Sequence, residues 1–135
     1  MELLKQESYS IRVQQDVVLV RKMVRQLAIE AGFTLVDQTK VITAASELAR
    51  NIIDYGGGGE VKLALVKNER DKPGVQLIFE DQGPGIENVD LALTDGYTTG
   101  GGLGMGLSGS KRLMSEFQLE TEKGKGTRVT VTKWK

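Results

Sequence analysis

The chain has 135 residues, a length that corresponds to one domain with a hydrophobic core of its own. Its 18 basic and 18 acidic residues cancel, and no run reaches the roughly 20 apolar residues that span a bilayer, so we expect a cytoplasmic protein that binds neither nucleic acid nor membrane. Cysteine and histidine are absent, which excludes disulfides, zinc–thiolate sites and histidine catalysis: carboxylates must carry any proton transfer, and a bound metal must be a hard cation such as magnesium or calcium.

The first half of the chain predicts one strand followed by two helices. Apolar and polar residues alternate over Tyr9–Val13, which is the period of a half-buried strand. Over Asp16–Ala31 the apolar residues recur every three or four positions, which predicts an amphipathic helix ended by Gly32. A Thr-x-x-Asp capping pair opens a second helix over Thr34–Asp54, and the glycines of Gly56–Gly59 end it.

The second half predicts four strands and one short helix. Val61–Leu65 and Val75–Phe79 alternate and form a hairpin, for which Pro73-Gly74 supplies a turn signal. A glycine-rich segment leads into a helix that continues to about Glu116. The last two strands are predicted over Phe117–Thr121 and Arg128–Lys133. This order predicts an α+β fold, a two-layer α/β sandwich with helices on one face of a mixed, mostly antiparallel sheet, and a single domain over residues 1–135.

Glu47 and Asn51 form the first chemical motif. They are four residues apart on the second predicted helix, so both side chains lie on one face. An amide oxygen can ligate Mg²⁺ without neutralising it, and a carboxylate can accept a proton from an attacking hydroxyl. For this motif alone a structural explanation remains open, since Glu47 can simply pair with Arg50 on the surface.

The second motif is Asp81-Gln82-Gly83-Pro84-Gly85, at the end of a predicted strand. A carboxylate there can accept a hydrogen bond from the amino group of adenine and would repel the carbonyl group of guanine. Gly83 and Gly85 would let the backbone approach a flat ring. An ordinary turn after a strand favours the same residue types, so this motif is also ambiguous by itself.

The glycine-rich segment Gly100–Gly106 is the third motif. Its backbone amides and the start of the following helix can surround an anion, whereas a mobile connector is the alternative. Residues Gly104–Gly109 match the Gly-x-Gly-x-x-Gly pattern of dinucleotide-binding folds. No strand immediately precedes them and too few residues follow for the parallel sheet of such folds, so we interpret this match as accidental. The P-loop pattern fails as well, because Lys111 follows Ser110 and no Gly-Lys-Ser/Thr end is present.

The fourth motif, Gly124-Lys125-Gly126-Thr127, is a hairpin turn that leads into the last strand. A functional interpretation adds only that the Thr127 hydroxyl reaches the adenine pocket beside Asp81.

The order of the four motifs, Glu-x-x-x-Asn, Asp-x-Gly-x-Gly, Gly-x-Gly-x-Gly and Gly-x-Gly-Thr, resembles the Bergerat-fold (GHKL) ATPases, the superfamily of gyrase, Hsp90, sensor histidine kinases and MutL. The resemblance covers the chain from Ser46 to Thr127. Within that superfamily, the stretches Ser46–Asn51 and Lys111–Met114 are similar to the bacterial serine/threonine switch kinases of the anti-sigma-factor group, particularly those of the stressosome.

The resemblance implies ATP and Mg²⁺ as cofactors and assigns a role to each motif. Glu47 would be the general base, Asn51 the Mg²⁺ ligand and Asp81 the contact to adenine. The glycines and the threonine would complete the pocket: Gly83 and Gly85 at the base, Gly102, Gly104 and Gly106 over the phosphates, and Gly126 and Thr127 on the base side. The segment between Val89 and Gly100 is short, which implies that the nucleotide is less enclosed than in larger relatives.

The resemblance also implies partners, which are small STAS-domain antagonist or scaffold proteins as substrates and a PP2C-type phosphatase as a second target. The leading hypothesis is therefore a kinase that acts on a protein hydroxyl. A nucleotide-gated anti-sigma factor or binding module that acts by sequestration is the rival hypothesis, and the detached catalytic domain of a sensor kinase is a third. The oligomeric state stays open, a homodimer included.

Overall fold

The computed structural model describes residues 1–85 and 107–135. In chain order the described elements are β1 (Glu2–Ile11), α1 (Gln14–Glu30), α2 (Leu35–Gly56), β2 (Gly59–Lys67), β3 (Pro73–Asp81), α3 (Leu107–Leu113), β4 (Glu116–Glu122) and β5 (Gly126–Trp134). The strands form one sheet in the order β1-β2-β3-β5-β4, and each neighbouring pair is antiparallel. The predicted α+β class is confirmed. None of the helices in these two ranges is long and apolar enough to cross a membrane.

Helices α1 and α2 bury the apolar stripes that the sequence predicts. The buried helix residues include Val17, Val20, Val24, Leu27, Val41, Ala45, Leu48 and Ile52. They belong to one core cluster with the inward-facing strand residues Val61, Leu63, Val75, Leu77, Phe79, Val129 and Val131. The other face of the sheet carries polar side chains such as Lys62, Glu80 and Arg128 and also the buried apolar residues Ala64 and Val66, which are outside this core cluster. The sandwich therefore has two layers, and α2 crosses the sheet with its last turn above the end of β3.

The helix ends follow local hydrogen bonds. Helix α1 begins at Gln14, two residues before the predicted start, and Asp16 lies in its first turn. The Asp16 carboxylate accepts hydrogen bonds from the backbone N–H groups of Arg12 (2.9 Å) and Val13 (3.1 Å), and these bonds lower its pKa. The predicted cap of α2 is present, because Thr34 Oγ1 accepts a hydrogen bond from the backbone of Asp37 at 3.2 Å.

Three predicted boundaries are wrong. Strand β1 begins at Glu2 rather than Tyr9, and Val13 precedes α1 outside the strand. Pro73 and Gly74 are the first residues of β3, so the turn precedes them. Helix α3 ends at Leu113, and Glu116 already belongs to β4.

Candidate functional site

One pocket lies where the last turns of α2 meet the end of β3 and the start of β5. Its polar lining residues are Asn51, Asp81 and Thr127, and Gly85 lines it as well. Its apolar walls are formed by Leu48, Ile52, Phe79, Leu107 and Val129. The empty space that these residues border is about 460 Å³, and part of it is open to solvent. Three motifs that are far apart in the sequence therefore meet in one cleft.

The antiparallel pairing of β3 and β5 explains this convergence. Asp81 at the end of β3 is directly opposite Thr127 at the start of β5. The backbone of Gly83 donates a hydrogen bond to Asp81 Oδ1 at 2.9 Å, and the backbone N–H of Thr127 also donates to this carboxyl group. Partial burial raises the pKa of Asp81 above its ordinary value, while the two N–H groups act in the opposite direction. The result is a fixed hydrogen-bond acceptor inside a largely apolar pocket.

The predicted glycines that the structure describes, Gly83, Gly85 and Gly126, make close backbone contacts in the loop after β3 and the β4–β5 turn. Gly85 and Gly126 have positive φ angles of 77° and 93°, and a side chain would collide with the carbonyl of Glu122 at Gly85 and with that of Asp81 at Gly126. A Cβ atom at Gly83 would lie 2.7 Å from the Cα atom of Gly56. These contacts hold the loop after β3 against α2 and the β4–β5 turn.

Gly56 is a residue of the site that the sequence interpretation missed. It is the last residue of α2, and it lines the pocket. A Cβ atom there would lie 2.6 Å from Asp81 Cγ, so the carboxyl group of Asp81 occupies the space that a side chain would need. In the sequence Gly56 is only the first of the glycines that end the helix. In the structure it lies inside the last helical turn, and Gly57 is the left-handed residue that ends the helix.

Glu47 and Asn51 differ in how they relate to the pocket. Asn51 lines it, whereas Glu47, one helical turn earlier, is not among the lining residues. The Glu47 side chain is 36% exposed, and its Oε1 lies 3.5 Å from Arg50 Nη1, so the surface pair considered from the sequence is present. Such exposed pairs are weak and exchange readily with solvent. Glu47 is therefore accessible to a group arriving from outside.

The donor set fits a magnesium ion held mainly by nucleotide. Among the described residues no group of three or more acidic side chains could hold a metal ion. Mg²⁺ commonly takes one or two protein oxygens and completes its shell with phosphates and water, so the Asn51 amide oxygen in the pocket wall suits it. The predicted phosphate-binding residues Gly102, Gly104 and Gly106, and the segment from Val89 to Gly100, lie outside the described residues.

Comparison with known sequences identifies the family. A model described as "Histidine kinase-, DNA gyrase B-, and HSP90-like ATPase" matches residues 36–135. The serine/threonine-protein kinase RsbT of Bacillus subtilis is 46% identical over 129 residues, which cover 96% of each chain. An anti-sigma F factor of Clostridium kluyveri is 42% identical over 105 residues, which cover 74% of this chain and 72% of that protein.

Solved structures share the fold at low sequence identity. The RsbU and RsbW domains of a Mycobacterium tuberculosis protein superpose with a TM-score of 0.62 at 18% identity, covering 96% of this chain and 32% of that one. The mycobacterial sensor histidine kinase MprB gives a TM-score of 0.56 at 16% identity, covering 96% of this chain and 97% of that one. The chain therefore belongs to the histidine kinase-, DNA gyrase B- and HSP90-like ATPase family, and within it to the serine/threonine-protein kinases that resemble RsbT.

Proposed function

We propose that this chain transfers the γ-phosphoryl group of ATP to a serine or threonine hydroxyl of a STAS-domain antagonist or scaffold protein, and that it then binds and activates a PP2C-type phosphatase. One observation carries the proposal: Asn51 and Asp81, from separate motifs, line a single pocket. The 46% identity to RsbT supports a protein hydroxyl as the acceptor. The STAS and phosphatase partners rest on the same likeness.

In this proposal the Asp81 end of the pocket binds adenine. The carboxylate accepts a hydrogen bond from the 6-amino group and opposes a 6-oxo group. Apolar side chains such as Ile52 and Val129 cover the faces of the ring, and Gly85 brings the backbone close to it. Thr127 completes the polar edge beside Asp81.

The Asn51 end of the pocket, one helical turn from Glu47, is where the transfer occurs in this proposal. When bound, Mg²⁺ neutralises charge on the phosphate oxygens, and Asn51 supplies the protein oxygen that would hold it. Glu47 accepts the proton of the attacking serine or threonine hydroxyl. As the new O–P bond forms, the bond from the γ-phosphorus to the β,γ-bridging oxygen breaks, and ADP leaves with that oxygen.

Replacing Glu47 tests the catalytic assignment. We expect Glu47→Ala to lower the rate of phosphoryl transfer roughly 10²- to 10⁴-fold, because a general base is lost, and to leave ATP affinity nearly unchanged. The measurement is single-turnover transfer of labelled phosphate together with calorimetric ATP binding. Glu69→Ala, in the exposed β2–β3 turn, is the matched control. An undiminished transfer rate in Glu47→Ala would reject Glu47 as the base.

Incubation with labelled ATP and STAS-domain proteins tests the acceptor. Label on a serine or threonine supports the kinase. Stable co-elution without label would instead support the nucleotide-gated binding module, which the likeness to an anti-sigma F factor favours. Acid-labile label on a histidine of the partner would support a sensor-kinase activity.

A further inference from the structure

The solvent-exposed face of α2 includes Glu47 and continues from there to the N-terminal end of the helix. Steps of three or four residues bring side chains one above the other on a helix. On α2 such steps connect Val36, Lys40, Thr43, Glu47, Arg50 and Asp54. Five of these residues are exposed and Glu47 is half-buried, and we call the row the outer face of α2. Along the helix axis Val36 lies about 16 Å from Glu47, at about 1.5 Å per residue.

The N-terminal part of this outer face combines an apolar side chain with a positive charge. Val36 is 64% exposed, and its neighbour Leu35 is 76% exposed. An aliphatic side chain gains free energy when a partner removes it from water. Lys40, one turn after Val36, forms no ion pair with any residue that the structure describes. This part of α2 therefore suits a protein surface that offers an apolar side chain and a carboxylate.

The proposed phosphoryl transfer determines which protein reaches this face. Glu47 does not line the nucleotide pocket, so an acceptor hydroxyl that gives Glu47 a proton must arrive together with its protein at the outer face of α2. A stable protein interface covers about 800 Å² of each partner, which corresponds to a patch roughly 30 Å across. A patch of this size that includes Glu47 can extend to Lys40 and Val36.

We propose that the acceptor protein docks on the outer face of α2, with an apolar side chain against Val36 and a carboxylate opposite Lys40, so that its serine or threonine hydroxyl reaches Glu47. The inference rests on the proposed function, because it takes Glu47 as the general base. In this arrangement the N-terminal half of α2 selects the acceptor protein, and the C-terminal half borders the nucleotide. Acceptor docking and nucleotide binding then depend on different residues and can be measured separately.

The test measures single-turnover phosphoryl transfer at increasing concentrations of a STAS-domain protein that the wild type phosphorylates. For Val36→Ser we expect the half-saturating acceptor concentration to rise roughly 5- to 10-fold, as for an apolar side chain lost from an interface, with the maximal rate and the ATP affinity unchanged. Lys40→Glu should also raise this concentration, and less so at high salt, which screens the repulsion between like charges. Val18→Ser and Lys22→Glu are the matched controls, because Val18 is 62% exposed on α1 and Lys22 is exposed there as well.

Each other outcome counts against a specific statement. An unchanged half-saturating concentration in Val36→Ser and Lys40→Glu, an equal rise in the two α1 controls, or a fall in the maximal rate alone overturns the docking site and leaves the proposed function standing. A wild-type chain that labels no STAS-domain protein overturns the proposed acceptor, and this inference with it. All four variants should melt near the wild-type temperature, because the replaced side chains are exposed.

Discussion

At the scale of single residues, the adenine contact that we propose for Asp81 depends on the charge state of its carboxyl group. Its pKa is raised by partial burial, so the carboxylate takes up a proton at a higher pH than an exposed aspartate does. A protonated carboxyl donates a hydrogen bond and therefore suits a 6-oxo group. We expect the affinity ratio of ADP to IDP to be constant near neutral pH and to fall as the pH drops through the raised pKa of Asp81.

Measuring both nucleotides from pH 7.5 to about pH 4.5 checks this prediction, because the phosphate titrations common to ADP and IDP cancel in the ratio. The ratio should lose its pH dependence in Asp81→Asn. A ratio that stays flat in the wild type over this range contradicts the role of Asp81. The raised pKa of Asp81 also makes the stability of the nucleotide-free protein depend on pH. Its free energy of unfolding falls as the pH rises from the pKa of Asp81 in the unfolded state through its higher pKa in the folded state, because the folded state must then carry a partly buried carboxylate.

Gly56 gives a second prediction at this scale, because replacing it by alanine should stabilise the helix but disturb the pocket. Alanine favours the last turn of α2 by about 0.5–1 kcal/mol over glycine. Its Cβ atom would nevertheless lie 2.6 Å from Asp81 Cγ and displace that carboxyl group. We expect Gly56→Ala to remain folded, with a melting temperature near the wild-type value, and to bind ADP about 10- to 100-fold more weakly, as for a lost charge-assisted hydrogen bond.

Thermal melting and calorimetry on the same samples separate the two effects. Gly109→Ala is the control, since Gly109 also lies in a helix and a Cβ atom there meets no atom of the described residues within 4 Å. Wild-type ADP affinity in Gly56→Ala would show that Asp81 can move without loss.

At the scale of elements, α2 is the scaffold of the site, because it carries Glu47, Asn51 and Gly56 at its C-terminal end and its cap at the other end. Thr34→Ala removes that cap and should lower the free energy of unfolding by about 1 kcal/mol, or the melting temperature by about 3–5 °C. Thr34→Ser keeps the hydroxyl and should be neutral. ADP affinity well below the melting temperature should not change, because the cap is about four helical turns from Leu48, the first residue of α2 that lines the pocket. A weakened affinity would mean that the helix shifts as a whole.

The helices and strands differ in how well the sequence pattern predicts where they begin and end. The stripes of α1 and α2 are regular, and both helices were predicted within two residues of their observed ends. The predicted β1 is too short because residues 5–8 are all polar, so no apolar–polar alternation precedes Tyr9 although these residues pair regularly with β2. Pro73 is permitted as the first residue of a strand, and Gly74 is there because the ring of Trp134 lies against its backbone, with Cε3 2.5 Å from where a Cβ would be. The reason for Gly74 depends on a residue of the neighbouring strand β5 and cannot be predicted from the sequence around it.

At the scale of the whole molecule, the order of the motifs predicts that Asn51 and Asp81 line one site. The residues that hold these side chains in place cannot be predicted from the motifs. Gly56 matters because a Cβ atom there would lie 2.6 Å from Asp81 Cγ. This distance depends on how the end of α2 lies against the end of β3, which the spacing of the motifs does not give. Motif residues can thus be found from spacing, and the residues that position them require coordinates.

Because the pocket joins α2, β3 and β5, bound nucleotide should stabilise the whole fold rather than one segment. At an ADP concentration of 100 times its dissociation constant, the gain is about 2.7 kcal/mol, which raises the melting temperature by on the order of 10 °C for a domain of this size. Glu47→Ala should show the full rise, since we assign Glu47 to proton transfer and not to binding. Gly56→Ala should show a smaller rise at the same ADP concentration. Equal rises in Gly56→Ala and the wild type, measured by scanning calorimetry with Mg²⁺, would contradict the expected weakening of ADP binding and agree with an Asp81 side chain that moves without loss of affinity.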